Sequence, residues 1–101
     1  MTLHGIEIPR ERIAVFCRAN GIRRLALFGS ILRDDFGPES DVDVLVEFQP
    51  GVRVRYLAIA RMARELGTML RRAVEMRTPA ELHPGFGEEV MKEALTEYVA
   101  V

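Results

Sequence analysis

Residues 25–48 read Leu25-Ala26-Leu27-Phe28-Gly29-Ser30-Ile31-Leu32-Arg33-Asp34-Asp35-Phe36-Gly37-Pro38-Glu39-Ser40-Asp41-Val42-Asp43-Val44-Leu45-Val46-Glu47-Phe48. Four apolar residues in a row, Leu25 to Phe28, stop at Gly29, the pattern of a short buried strand. Ser30 to about Asp35 predicts a brief helical turn, and Phe36-Gly37-Pro38-Glu39 is a loop by its breakers. From Asp41 the period becomes two. Val42, Val44, Val46 and Phe48 alternate with Asp41, Asp43, Leu45 and Glu47, giving a second strand with one apolar face and one that begins acidic. Ten residues lie between Ser30 and Asp41, and their loop returns the chain so that the second strand can lie beside the first.

Two features of this stretch carry chemistry. Gly29-Ser30 falls where strand gives way to helix, a junction that directs free backbone N–H groups at one point and suits an anion. Glycine lets a phosphate approach the backbone, and the serine hydroxyl adds a donor. Taken alone, a Gly-Ser pair is better explained by an ordinary glycine turn with a serine cap. Asp41 and Asp43, two residues apart on an extended chain, leave one face roughly 6 to 7 Å apart at the backbone and can converge on one ion. Adjacent anions entering a valine-rich strand repel and lose hydration, costs that Mg²⁺ or Mn²⁺ with oxygen ligands relieves. Alone, that pair is better read as a solvated acidic loop leading into the strand. Together the two features put a phosphate cradle and a metal site at one edge of a sheet.

Outward from this stretch, Pro9 opens a segment with Ile13, Phe16 and Cys17 at helical spacing that stops at Asn20-Gly21. From Val54 to Leu70, Ile59, Met62, Ala63, Leu66 and Leu70 form one stripe opposite Arg61, Arg64, Glu65 and Thr68, the pattern of an amphipathic helix. Arg72 to Arg77 is short enough for a third strand, and Pro79 to His83 predicts a turn or helical fragment. Val90, Met91, Ala94, Leu95 and Tyr98 predict a last helix. Strand and helix alternate, so the expected fold is α/β (α+β): a small mixed β-sheet flanked by helices, one domain over residues 1–101.

Composition narrows the class. The 101 residues are 49% hydrophobic and 29% charged, a globular balance. No stretch approaches the roughly 20 apolar residues that cross a bilayer, and Met1 to Arg12 lacks the apolar core of a secretory signal, so the cytoplasm is the expected compartment. The one cysteine, Cys17, cannot pair within the chain and reads as a buried small hydrophobe. Net charge is −1 and thirteen of fourteen basic residues are arginine, whereas all four aspartates fall between Asp34 and Asp43. The arginines of 53–72 could track nucleic acid, but without aromatic interleaving they read as a solvated helix face, and nucleic acid is not expected as the direct substrate. His4 and His83 share no metal-ligand spacing and read as surface residues, and Gly85-Phe86-Gly87 reads as a loop. Glu47 lies too far along its strand to reach the ion of Asp43.

The run from Gly29-Ser30 through Arg33 to Ser40-Asp41-Val42-Asp43 resembles the Gly-Ser and Asp-x-Asp signature of the DNA polymerase β-type nucleotidyltransferase superfamily. It is most similar to the minimal nucleotidyltransferase branch, which has the same arginine after Gly-Ser and the same Ser-Asp-x-Asp. The resemblance implies Mg²⁺-dependent transfer of a nucleotide from ATP, with Asp41 and Asp43 holding metal (Mg²⁺ or Mn²⁺) and Gly29 and Ser30 holding the triphosphate. Arg33 either adds charge at phosphate or pairs with Asp34 or Asp41, and Ser40 either joins the nucleotide site or caps the loop. The branch takes its third carboxylate from a later strand, and Val74-Glu75-Met76-Arg77-Thr78-Pro79 is the matching segment. Glu75 therefore stands where aspartate is commoner. One methylene moves the carboxylate by about 1 Å, which can cost on the order of 100-fold in rate. Glu75 equally reads as a surface partner of Arg72 or Arg77.

The implied reaction is attack of a hydroxyl on the α-phosphate of ATP. A chain this short has no room for an acceptor-binding domain, so the acceptor is expected to be a separate protein. The resemblance suggests a helical HEPN-type toxin, silenced by an antitoxin that adenylylates one of its tyrosines. The alternative is a binding module, catalytically weak or inactive, that neutralises the same partner by forming a complex through an amphipathic C-terminal helix.

Overall fold

The computed structural model describes residues 2–81, 90 and 92–100. A hairpin of β1 (Thr2–Leu3) and β2 (Ile6–Glu7) leads into α1 (Arg10–Ala19), then β3 (Ile22–Phe28), a 3₁₀ turn over Gly29–Leu32, β4 (Val42–Phe48), α2 (Tyr56–Leu70), β5 (Val74–Arg77), a second 3₁₀ turn over Pro79–Glu81, and β6 (Leu95–Val99). His83 and Gly85-Phe86-Gly87 lie outside the described residues. Strands β3 to β6 form one sheet in the order β5-β4-β3-β6. Strand β3 runs antiparallel to β4 and β6, and β4 runs parallel to β5. The sheet is mixed, as expected.

Local chemistry explains the elements. Helix α1 buries Ile13, Phe16 and Cys17; it is closed by Asn20, whose Nδ2 donates to the Phe16 carbonyl at 2.8 Å, before Gly21 turns the chain at φ +68°. Helix α2 buries Met62, Leu66 and Leu70, and Arg71 ends it in the left-handed region at φ +59°. Both helices cover one face of the sheet, packing with Leu25, Leu27, Val42, Val44, Val46 and Met76 into a single core. Strand alternation sends Asp43, Leu45 and Glu47 to the other face. There Leu45 and Phe28 bury Val90 in a smaller cluster. The acidic residues thus emerge on the face opposite α1 and α2.

The C-terminal expectation is corrected. The helical spacing of Val90, Met91, Ala94, Leu95 and Tyr98 predicts one helix, but residues 90, 92 and 93 are helical and Leu95–Val99 is a strand. Without β6, β3 would be an edge strand whose buried N–H and C=O groups lacked partners on one side. The β-favouring Thr96, Tyr98 and Val99 fill that edge, and Arg24 Nη2 donates to Thr96 Oγ1 at 2.8 Å to hold the register. The apolar C-terminal helix invoked for partner binding is therefore absent over residues 95–99. Two smaller differences concern length: β3 begins at Ile22 rather than Leu25, and β5 begins at Val74, leaving Arg72 in the corner before it.

Candidate active site

Phe28 of β3 is the register partner of Asp43 of β4, so Gly29, one residue on, begins its turn beside the Asp43 side chain. Gly29 has φ +75°, and a Cβ there would overlap Asp43 Oδ2 and lie 3.1 Å from its Cγ. Glycine is required twice over, by the backbone and by the carboxylate packed against it. Gly29, Ser30, Arg33 and Asp43 share a cleft of about 660 Å³, whose apolar side is made by Phe28, Leu32 and Val90 and whose rim includes Glu93.

The helical turn after Gly29 is a single 3₁₀ turn of four residues. It is too short to supply much of a helix dipole, so attraction for an anion there rests on backbone N–H groups, the Ser30 hydroxyl and the Arg33 charge.

Asp41 is exposed and stands one residue before β4, not within it. Glu75 of β5 pairs in register with Asp43, so the two side chains leave neighbouring strands on the same face. The Glu75 carboxylate is taken by Arg77, which also lies 3.6 Å from Glu81. Burial pushes the Asp43 carboxyl above its ordinary range, and the neighbouring charges of Glu75 and then Asp41 push the same way, against Arg77 and Arg33. Asp43 thus lies close enough to feel the charges of both Glu75 and Asp41. Among the described residues, however, no three acidic or metal-ligating side chains converge tightly enough to cage an ion. The donor set still fits a hard divalent cation: carboxylate oxygens only, with mutual repulsion that a cation would relieve.

Arg33 bonds Asp35 at 3.0 Å, both side chains being largely exposed, rather than Asp34 or Asp41. Ser40 Oγ accepts from the Gly37 N–H at 3.0 Å, a loop-closing bond, and Ser40 does not line the cleft. Glu47 is engaged by Arg23 and Arg24 at 3.1 and 3.2 Å, away from Asp43. Cys17 is buried, as expected. Arg72, expected on a solvated helix face or beside Glu75, instead donates to the loop carrying Asp41; only the fold brings residues 32 positions apart together.

Residues 10–96 match the family described as the nucleotidyltransferase domain. The chain belongs to that family. This nucleotidyltransferase is 33% identical over 89 residues to a Methanocaldococcus jannaschii protein named "Putative protein adenylyltransferase MJ0435", covering 88% of this chain and 92% of that one. It is 32% identical to a solved "putative minimal nucleotidyltransferase", with a TM-score of 0.71 over 85% of this chain and 86% of the other. Two further structures share its fold. A chain from a toxin–antitoxin crystal structure with AMP-PNP gives a TM-score of 0.73 at 18% identity, over 92% of this chain and 75% of that one. A chain from the complex of tri-AMPylated Shewanella oneidensis HEPN toxin with MNT antitoxin gives 0.65 at 17% identity, over 90% and 70%. The described part of the nucleotidyltransferase has no helix long and apolar enough to cross a membrane.

Proposed function

We propose that this nucleotidyltransferase transfers AMP from ATP to a hydroxyl on a partner protein, a tyrosine of a HEPN-type toxin, and acts as its antitoxin. The observation that carries the reading is the contact between Gly29 and the Asp43 carboxylate inside one cleft. The relatives named as an adenylyltransferase and as a minimal nucleotidyltransferase support the chemistry. The shared fold of the AMP-PNP and HEPN complexes supports the choice of nucleotide and partner.

In this reading Gly29 N–H and the Ser30 hydroxyl hold the triphosphate, and Arg33 turns from Asp35 to phosphate oxygens, an exchange of one exposed ion pair for another that costs little. Ser40 closes the loop that presents Asp41. Asp41 and Asp43, with Glu75 beside them, would hold Mg²⁺ or Mn²⁺, which when bound neutralises charge on the phosphates. The acceptor oxygen bonds the α-phosphorus as the bond to the pyrophosphate oxygen breaks, and the tyrosyl proton passes to a Glu75 carboxylate oxygen. Nucleic acid is not the acceptor, and ATP as co-substrate fits a cytoplasmic setting.

A second reading is favoured by the Glu75–Arg77 ion pair, which occupies the third carboxylate: turnover is slow and the partner is neutralised chiefly by complex formation. Intact-mass analysis of the purified toxin after incubation with this protein, ATP and Mg²⁺ separates the two. Added AMP that disappears with Asp43→Asn supports transfer. A stable complex of unmodified toxin contradicts it.

A further inference from the structure

Asp41 is exposed and outside the sheet, so its position depends on the preceding loop. That loop is fastened from elsewhere in the fold. Arg72, in the corner between α2 and β5, donates from Nη2 to the carbonyls of Gly37 at 2.7 Å and Ser40 at 2.5 Å, the latter directly preceding Asp41. Its guanidinium carbon lies 4.7 Å from the centroid of the Phe36 ring, a cation–π distance. Phe36 in turn meets the His4 ring with centroids 4.8 Å apart, and His4 Nε2 lies 3.0 Å from the carbonyl oxygen of Ile31. Ile31 belongs to the turn that begins with Gly29 and Ser30.

Both ends of this chain of contacts are anchored. His4 and Gly5 form the two-residue turn between β1 and β2, both at positive φ, 50° and 77°, as the tight hairpin twist requires. Arg72 N–H donates to the Gly67 carbonyl at 3.1 Å, and the adjoining Ala73 carbonyl accepts from Val42 N–H at 2.9 Å. The series Ile31, His4, Phe36, Arg72, Ser40 therefore ties the turn bearing Gly29 and Ser30 to the residue before Asp41.

We propose that Arg72 is a positioning residue: with Phe36 and His4 it forms a clasp that sets Asp41 at a fixed distance from the Gly29–Ser30 turn. The inference rests on the nucleotide-site reading above. Arginine suits the role because one guanidinium nitrogen bonds both carbonyls while the planar group lies over the ring, a flat stacked geometry that the point charge of lysine lacks. With the clasp open, the loop keeps its exposed Arg33–Asp35 pair and the Gly37–Ser40 bonds but loses its tie to Arg72, and a cation held by Asp43 loses the donor from Asp41.

The test uses the whole chain as wild type, Arg72→Lys and Phe36→Leu. Mn²⁺ affinity is read by electron paramagnetic resonance, loop order by amide hydrogen exchange, and a fluorescent ATP analogue is titrated in EDTA. Arg72→Lys keeps the charge and the aliphatic stem, so it is expected to fold. The clasp predicts faster exchange confined to residues 33–41 and Mn²⁺ affinity lowered roughly 10-fold or more, as for other groups that orient metal ligands. Phe36→Leu should move both in the same direction. Metal-free binding of the ATP analogue should change less than about 2-fold, since it draws on backbone N–H groups of a turn left intact. Wild-type Mn²⁺ affinity in Arg72→Lys overturns this inference alone, as does a rise in exchange spread over the whole sheet. A wild-type chain that binds neither Mn²⁺ nor the analogue overturns the nucleotide-site reading and the clasp with it.

Discussion

Asp43 and Glu75 are register partners on parallel neighbouring strands, and the charge of Glu75 raises the cost of charging Asp43. The same strand that supplies Glu75 supplies Arg77, which binds the Glu75 carboxylate and draws the Asp43 carboxyl back toward its ordinary range. The balance of these neighbours is measurable. Glu75→Gln should lower the Asp43 pKa and Arg77→Gln should raise it, read from the side-chain carboxyl ¹³C shift of Asp43 across a pH titration. Because the ionised form is the one that attracts a cation, Mg²⁺ binding should weaken as pH falls through the raised Asp43 pKa, earlier in acidification than for an ordinary aspartate.

Gly29→Ala should destabilise the fold by about 1–3 kcal/mol, the scale of forcing an L-residue into a strained positive-φ backbone. Its Cβ also displaces the Asp43 carboxylate. Chemical denaturation measures the first effect. Loss of Mg²⁺-dependent ATP binding in the protein that remains folded measures the second.

Burial pushes the Cys17 thiol from 9.0 up to about 12. The folded chain therefore holds its proton where the unfolded chain releases it. Stability from this group is complete below pH about 9 and is lost as pH rises toward about 12, at a slope near 1.4 kcal/mol per pH unit. Denaturation midpoints at a series of alkaline pH values should fall less steeply in Cys17→Ala than in the wild type. At neutral pH the thiol should react with a disulfide reagent only under denaturing conditions.

Glu97 sits at the irregularity in the pairing of β6 with β3. Its side chain is fully buried, bonded through Oε2 to Arg10 Nε at 3.0 Å, while Oε1 has no hydrogen-bond partner among the described residues. Removing the cation strands a buried charge; neutralising the acid removes it. Arg10→Ala should cost about 1–3 kcal/mol, discounted because Arg10 is mostly exposed, whereas Glu97→Gln should be close to neutral. Equal losses in the two variants on thermal unfolding would contradict this account.

Much of the fold is legible from local pattern. The apolar run Leu25–Phe28, the valine alternation from Val42 and the stripe of Met62, Leu66 and Leu70 each have one periodicity, and each forms the element it predicts. Strand β6 is not legible, because Val90, Met91, Ala94, Leu95 and Tyr98 also satisfy a helical spacing. What decides between them is the open edge of β3, about seventy residues earlier in the chain, a demand no local window contains. The short hairpin of Thr2–Leu3 and Ile6–Glu7 carries too few residues to announce itself. In the candidate site, Gly29, Ser30 and Asp43 are readable from spacing because strand geometry alone brings them together. Arg72 and His4 are not, since ordinary surface residues acquire their contacts to Ser40 and Ile31 only through the tertiary fold.

The central claim is that the Asp43 carboxylate packed on Gly29 marks a metal–nucleotide site. Titration calorimetry of ATP with Mg²⁺ into the wild-type protein and Asp43→Asn tests it most directly, with the thermal midpoint of each as the control for folding. The account predicts saturable binding in the wild type, weakened at least about 10-fold in the variant, consistent with loss of a charged ligand group, and a midpoint no lower than wild type, because removal of a partly buried, repelled carboxylate costs the fold nothing. Equal affinity in the two proteins, or no binding by a folded wild type, would contradict it.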